Sequence, residues 1–404
     1  MKEDSKKIRK IAVIGYTNYS TDPRVKREAE ALSDNNYYVD TFVLKKAHDP
    51  KYELINGVNV YHLNQFRYRG NSNLKYIFSY LEFFIRIFLK ISTFYFKKRY
   101  RVIHINNMPD FLVFTAIIPK LFGAKLILDI HDTMYETFST KFENNSNSFL
   151  LKILLLQERI SACFVDSVIS VHYPQKSEIL VKHGIMKNKI TVVSNFCDRK
   201  IFNLGETNIV KSNIIKNKSF KMMYHGTISK RYGLDVVLKG LNKIKDRISG
   251  LFFLILGEGD YSKDLFKLID EYELEEVVEF RNEMVPVRSL PKIISNIDLG
   301  IVSYIPSEAT EYMLPTKLME YIAMEKPVLC VRNRAISYYI KEDEIEFYDG
   351  ENSDSFAEKL MYLYKNKKRL GEIRNNERKL NDILNWTNEK KKYILLIKKL
   401  VGDL

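Results

Sequence analysis

Residues 305–331, IPSEATEYMLPTKLMEYIAMEKPVLCV, are the stretch on which the reading of the fold turns. The apolar run 297–305 leading into it predicts a buried strand, and 327–331 predicts the next. Between them Pro315 stands where a helix begins, a position at which its missing N–H costs little. Strand, helix and strand in that order form the repeat of a parallel sheet. The first amides of such a helix point outward at the positive end of its dipole, a place suited to phosphate. Thr316, Lys317 and Glu320 are three and four residues apart and share one face. Amides, a cation and one carboxylate together suit a nucleotide-sugar, with diphosphate on the amides and Lys317 and ribose hydroxyls on Glu320. The same residues also fit a capped surface helix with a local Lys–Glu pair.

Outward from this stretch the pattern repeats. Residues 221–226, 251–256 and 277–280 predict further strands, separated by helical spacing over 234–244, 264–272 and 287–295. In the other direction, strands are predicted at 8–17, 38–44, 58–63, 102–106, 125–130 and 167–172. Helices are predicted at 22–32, 110–122 and 150–162. The fold class is therefore α/β: two Rossmann-like, doubly wound domains, with ligands expected beyond the carboxyl ends of the strands, in a cleft between them. Residues 200–219, rich in Asn and Lys, read as the linker. The expected domains are 1–199, 200–375 and a basic helical tail, 376–404, crossing between them. Trp386 is either the anchor of that tail or ordinary core.

Composition narrows the function. A chain of 404 residues, 46% hydrophobic and 28% charged, is globular and long enough for two or three domains. Cys163, Cys197 and Cys330 are too few and too scattered for a disulfide framework or a zinc site, which points to a reducing, cytoplasmic setting. The apolar run 11–14 is too short for a secretory leader. A net charge of +14 calls for an anionic partner: nucleic acid, lipid or a small substrate. With no zinc-finger or RNP-like motif, nucleic acid is not expected. The charge gathers at 74–101, LKYIFSYLEFFIRIFLKISTFYFKKRYR, which is interrupted by Glu82, Arg86 and Lys90 and so is no spanning helix. A basic, aromatic-rich amphipathic helix suits an anionic membrane surface, or else the core of the first domain.

Four further places carry candidate chemistry. In YHGTISKRYGL, residues 224–234, Gly226 ends a strand and lets a ligand approach the backbone, with Thr227, Lys230 and Arg231 behind it. Arg231 is the favoured diphosphate ligand because its fork engages two oxygens. In LGEGD, residues 256–260, Gly257 and Glu258 follow a buried strand, as a site wall or a plain turn. In DIHDTMYE, residues 129–136, His131 stands at a strand end, with Asp132 or Glu136 to orient it. In GYTNYSTDPRVKR, residues 15–27, Gly15 offers amides and Arg24 is a phosphate ligand or a surface charge. That loop lacks the closely spaced glycines of a dinucleotide fingerprint, which argues against a dehydrogenase.

Taken in order, DPRVKREAEAL, LDIHD, VVSNFCD, YHGTISKRYGLD, LGEGD and LPTKLMEYIAMEKPV resemble the retaining glycosyltransferases of the large group 1 set (family 4). The resemblance implies the two-Rossmann GT-B fold, and transfer of a sugar from a nucleotide donor, a UDP-sugar, without metal or other cofactor. It implies that Glu320 holds the donor ribose, that the backbone of Thr316, Lys317 and Leu318 cradles the diphosphate, and that Gly226 faces it. His131 would lie near the reacting sugar, with Arg231 and Lys317 stabilising the departing diphosphate. The backbone of 281–285, from Arg281 past Met284, would meet the base. The implied acceptor is a lipid-linked oligosaccharide or glycan, in surface polysaccharide synthesis (exopolysaccharide, capsule or O-antigen), with the enzyme peripheral on the inner face of the cell membrane. The chain departs from the family pattern at Tyr312, where a sugar-contacting glutamate is common. It departs again at Thr227 and Tyr232, where Arg and Lys are common. A UDP-sugar 2-epimerase of the same architecture and a catalytically silent membrane scaffold are the alternatives.

Overall fold

The structure is a computed structural model and describes residues 9–66, 68, 73–139, 148–204 and 219–403. The middle of the expected linker, 205–218, lies outside these residues. The chain divides into two compact units, Met1–Asn195 with Glu389–Leu404, and Phe196–Asn388. The second division falls inside the last helix, α14 (Trp386–Val401), so most of that helix belongs to the first unit.

The first unit is an eight-stranded sheet in the order β3-β4-β2-β1-β5-β6-β7-β8. Its strands are β1 (Lys10–Ile14), β2 (Tyr38–Leu44), β3 (Tyr52–Ile55), β4 (Val58–Leu63), β5 (Val102–Asn106), β6 (Lys125–Ile130), β7 (Ser167–Ser170) and β8 (Ile190–Val192). All pairs are parallel except β3 with β4, a short antiparallel edge hairpin. β1 lies at the centre, its register running Ile11 to Val39 on one side and Ile11 to Val102 on the other. The helices are α1 (Pro23–Asp34), α2 (Asn73–Lys98), α3 (Ile117–Leu121), α4 (Met134–Ser139) and α5 (Ser148–Phe164). α1 starts at Asp22, whose carboxylate accepts from the amides of Arg24 and Val25, a side-chain cap followed by Pro23 in the first turn.

The expected helix over 110–122 is instead a 3-10 segment, Asp110–Ala116, followed by the five residues of α3. Pro119 has no N–H to give to residue 115, so a continuous α-helix would lose a bond in its middle. The segment 74–101 does supply a core helix: Phe83, Ile87, Ile91 and Tyr95 of α2 are buried.

The second unit carries a six-stranded, wholly parallel sheet in the order β11-β10-β9-β12-β13-β14. Its strands are β9 (Phe220–His225), β10 (Leu251–Leu256), β11 (Val278–Arg281), β12 (Leu299–Val302), β13 (Val328–Val331) and β14 (Glu346–Tyr348). The helices are α6 (Leu234–Asn242), α7 (Ser262–Glu271), α8 (Leu290–Ile294), α9 (Glu308–Glu311), α10 (Thr316–Ala323), α11 (Arg334–Tyr339), α12 (Ser353–Lys365) and α13 (Lys367–Ile383). β10 is buried along its whole length, as expected for a strand covered on both faces. Trp386 is buried, its N–H donating to the Cys197 carbonyl, both residues in this unit.

β12 is shorter than the run 297–305 predicts. Its pairing with β9 ends at Gly300 opposite Met223, because the Tyr321 hydroxyl donates to the Met223 carbonyl at 2.8 Å. Gly300 makes this contact fit: a Cβ there would stand 2.5 Å from the Tyr321 ring. The chain then leaves the sheet, and the Ile305 amide donates to the Arg231 carbonyl at 2.9 Å.

Candidate functional site

In the second unit the chain passes from β9 to β10 on one side and returns beside β9 as β12 on the other. The carboxyl ends of β9 and β12 therefore flank the topological switch point, where open α/β sheets bind ligands. The turn after β9 begins at Gly226, at φ 118°, and the turn after β10 begins at Gly257, at φ 153°. The two turns are stacked: a Cβ on Gly257 would stand 1.8 Å from the Gly226 carbonyl oxygen, and one on Gly259 2.0 Å from that of Ile228. The Gly226 amide donates to Leu256 and the Ile228 amide to Glu258. Glycine is required here by backbone touching backbone.

α10 opens beside these turns. Pro315 is the residue before the helix, with extended backbone, and Thr316 is the first helical residue, one later than predicted. The Pro315 carbonyl accepts from Leu318 at 3.2 Å, so the Leu318 amide is used internally. Among the described residues no side chain caps this end of the helix. The Thr316 and Lys317 amides are thus the pair left for an anion. Leu318 turns its side chain into the core, Thr316 is exposed, and Lys317 is 8% exposed.

Lys317 runs back under Gly226: its Nζ and Cε lie 3.6 Å from where a Gly226 Cβ would be. Its Nζ lies 3.6 Å from the Tyr224 ring centroid and 5.0 Å from that of Tyr232, while the Arg231 guanidinium lies 5.1 Å from the same Tyr232 ring. Tyr232 therefore joins the two cations instead of supplying one. Burial pulls the Lys317 ammonium down to about 7, against the opposing pull of Glu320. Burial likewise pushes the Glu320 carboxyl up to about 7, with Lys317 resisting. Glu320 Oε2 is 2.9 Å from His225 Nε2 but out of line for a hydrogen bond, and among the described residues that nitrogen has no hydrogen-bond partner. Burial, then the Lys317 charge, hold the His225 imidazole down to about 3, so the contact is not an ion pair. The His225 ring is fixed by stacking on Tyr321, centroids 5.1 Å apart.

Of the other predicted donor residues, Thr227, Lys230 and Glu258 are exposed on the two turns. The Arg281 carbonyl accepts from the Gly257 amide at 3.1 Å, while its guanidinium pairs with Glu279. Met284 is exposed beyond β11. Tyr312 closes the short helix α9, whose Thr310 hydroxyl donates to the Ile305 carbonyl at 2.7 Å.

The first unit gathers its own group at the ends of β1, β5 and β6. His131 Nε2 lies 3.1 Å from Asn106 Oδ1 and 3.1 Å from Asp129 Oδ2, and its amide donates to Asn107 Oδ1. Gly15 is adjacent: a Cβ there would be 3.9 Å from the Asn106 Cβ. Asp129, rather than the expected Asp132 or Glu136, orients His131; Glu136 pairs with His183 at 3.2 Å. Burial alone would lower the His131 imidazole, but Asp129 outweighs it and the net shift is upward. Arg24 is neither a phosphate ligand nor a surface charge. It is buried, clamps both oxygens of Asp129 at 2.9 Å, approaches Glu28 at 3.2 Å and donates to the Val193 carbonyl. Burial would raise Asp129, yet Arg24 holds it well below the usual carboxylate range. Glu28, His104 and Asp129 form the acidic and imidazole cluster of this unit; the cation they hold is Arg24. His104 meets the Tyr393 hydroxyl of α14 through Nδ1 at 2.8 Å, while its Nε2 lies 3.4 Å from Asp129.

Sequence reasoning missed Tyr224, His225, Tyr321, Asn106, His104 and Glu28. The available signal was a polar residue inside an apolar run, as at His104 in VIHIN and Asp129 in KLILDI. Only a paired or hydrogen-bonded polar group is affordable at such positions.

Solved structures share this architecture. Sucrose-phosphate synthase from Thermosynechococcus elongatus matches with a TM-score of 0.79 at 16% identity, over 98% of this chain and 100% of that one. Alr3699/HepE from Anabaena, in complex with UDP and glucose, matches with a TM-score of 0.73 at 13% identity, over 97% and 100%. The class is thus the two-domain glycosyltransferase fold, GT-B. Within it, residues 205–380 match the profile of "Glycosyl transferases group 1" and residues 24–200 that of "Glycosyltransferase Family 4". The chain belongs to this family of glycosyltransferases. A chitobiosyldiphosphodolichol beta-mannosyltransferase of Candida albicans is 21% identical over 88% of this chain and 80% of that protein. A putative colanic acid biosynthesis glycosyltransferase of Escherichia coli, WcaL, is 25% identical over 31% of each.

Proposed function

We propose that this glycosyltransferase moves a sugar from a UDP-sugar donor to a hydroxyl of a lipid-linked glycan, with retention and without metal. The reaction would take place on the inner face of the cell membrane, in the assembly of surface polysaccharide. The observation that carries the reading is the uncapped start of α10 at the switch point, with Lys317 buried under Gly226 and Glu320 one turn on. In this reading the Thr316 and Lys317 amides and the Lys317 ammonium take the diphosphate, and Arg231 reaches it from the neighbouring turn. Negative charge grows on the departing diphosphate, so fixed amides and cations there lower the barrier. Glu320 accepts from the ribose hydroxyls. His131, with Asp129 behind it, carries its own proton upward in pKa, which suits a hydrogen-bond donor to the reacting sugar more than a general base.

A second reading concerns stereochemistry alone. Relatives named beta-mannosyltransferases favour a β-linked product, which from an α-linked donor means inversion. The anomeric coupling of the product separates the two: a β product from an α-linked donor overturns retention.

The test of the whole reading is a donor panel scored by UDP or GDP release, with and without lipid-linked acceptor. Glu320→Ala is expected to abolish transfer with circular dichroism unchanged; full activity in that variant overturns the assignment.

A further inference from the structure

We infer that α2, α3 and α5 together form one docking platform for an anionic lipid bilayer, so that the first unit lies on a membrane by two parallel stripes and not by α2 alone. The inference deepens the proposed function by naming the surface that meets the acceptor's lipid.

The crossovers from β4 to β5, β5 to β6 and β6 to β7 all run the same way across the sheet, opposite to that from β1 to β2. Right-handed crossover therefore lays α2, α3 and α5 on one sheet face and α1 on the other. Ring contacts join the layer: Phe84 of α2 meets Phe111 at 5.9 Å, and Phe114 meets Phe164 of α5 at 4.9 Å. The inner side of this layer is core. Its outer side is apolar as well, which no core requires. On α2, Ile77, Phe78, Leu81, Ile85, Leu89 and Phe96 are each between 45% and 68% exposed, most of them at the three-and-four spacing of one stripe. On α5, Phe149, Ile153, Leu156 and Ile160 repeat that spacing at 44% to 73%. Leu121 and Phe122 lie between, and the Phe122 ring touches Phe96 at 5.3 Å. The apolar surface so exposed is on the order of 1,000 Å², beyond the roughly 300–600 Å² of the largest patch on an ordinary monomer.

Charge selects the occupant. α2 carries five Lys or Arg and one Glu, and that Glu82 is held by Arg86 at 2.8 Å. α5 adds Lys152 and Arg159, while its single carboxylate, Glu158, is turned inward onto His183 at 2.7 Å. Arg86 is taken up by Glu82, Lys98 by the Tyr38 hydroxyl and Arg159 by the His183 carbonyl. Lys75, Lys97 and Lys152 are exposed, so among the described residues of the two helices the surface charge is a net positive one. That pattern matches anionic headgroups above an acyl layer. A second copy of the chain would instead bring Lys75, Lys97 and Lys152 against their own equals. Among the described residues no helix is long and apolar enough to cross a membrane, so the contact is one of lying on the surface.

The experiment is vesicle flotation of the full chain with phosphatidylcholine vesicles, with and without phosphatidylglycerol, alongside two double variants on exposed positions. Wild type is expected to float with the anionic vesicles, less so at high salt. Leu81→Glu with Ile85→Glu, and separately Leu156→Glu with Ile160→Glu, are each expected to lower partitioning at least tenfold. Far-UV circular dichroism and a urea unfolding midpoint like those of wild type would confirm that the first unit is folded in both variants. Wild-type behaviour of the α5 variant overturns the platform. Failure of wild type to float with any vesicle, or a dimer that both variants abolish, overturns the lipid occupant. A chain that floats but releases no nucleotide from any donor leaves the platform standing and sinks the proposed reaction instead.

Discussion

Lys317 and Glu320 are both pulled toward about 7 by burial, and from opposite directions. Below that pH the Glu320 carboxyl is protonated and loses its capacity to accept two hydroxyls. Above it the Lys317 ammonium is neutral and loses its attraction for phosphate. Affinity for UDP is therefore expected to be bell-shaped with a maximum near pH 7, measured by calorimetry. Glu320→Gln should flatten the acid limb and Lys317→Arg the alkaline one, because an arginine stays charged throughout. The neutral His225 beside Glu320 adds no charge of its own to either limb. Tyr232 shows how a departure from the family pattern is accommodated. Where the resemblance expects a lysine, an aromatic ring lies against both Lys317 and Arg231, so the positive charge comes from the preceding residue. Tyr312, the other departure from the family pattern, closes α9.

At the scale of elements, the candidate donor site is two glycine turns pressed together and one helix start. The turns after β9 and β10 carry each other's backbone. Gly257→Ala would force a Cβ to within 1.8 Å of a carbonyl oxygen while φ stands at 153°. A loss of about 2–4 kcal/mol is expected for such overpacking with backbone strain, read as a lowered midpoint in urea. The Gly123→Ala control meets no atom within 4 Å, and its cost should be confined to its own positive φ. The helix start was legible because Pro, Thr, Lys and Glu have a meaning at fixed offsets from a helix N-terminus. Its true first residue was not, since only the Leu318 bond to Pro315 fixes it. The end of β12 was illegible for a different reason. Residues 303–305 are buried or nearly so, as a strand would be, but a tyrosine from α10 takes the Met223 carbonyl beyond Gly300 and the pairing with β13 stops at Val302.

At the scale of the whole molecule, each unit has its own polar centre. In the first, Arg24 of α1 ties β6 through Asp129 and reaches the Val193 carbonyl, while Tyr393 of α14 closes on His104. Removing the guanidinium leaves the buried Asp129 carboxylate without its clamp, beside Glu28, whose carboxyl burial already pushes up. Arg24→Ala should cost about 3–5 kcal/mol. By hydrogen exchange the loss of protection should fall on Met1–Asn195 and Glu389–Leu404, with Phe196–Asn388 unchanged.

The sequence by itself determined that there are two parallel-sheet domains, because strands alternating with amphipathic helices leave few other ways to bury both faces of a sheet. It also singled out Gly226, Gly257 and the Thr316–Glu320 face, which the fold brings together at the switch point, since these depend on local backbone geometry and helical offset. Only the tertiary structure decided which charges are functional candidates and which are scaffold. Arg24 and Arg231 look alike in a sequence, yet one is buried on Asp129 and the other is exposed against the Tyr232 ring. It also decided that α2 and α5 expose a second apolar face. Whether an apolar residue is core depends on what packs over it, and that is a property of the fold and not of the residue.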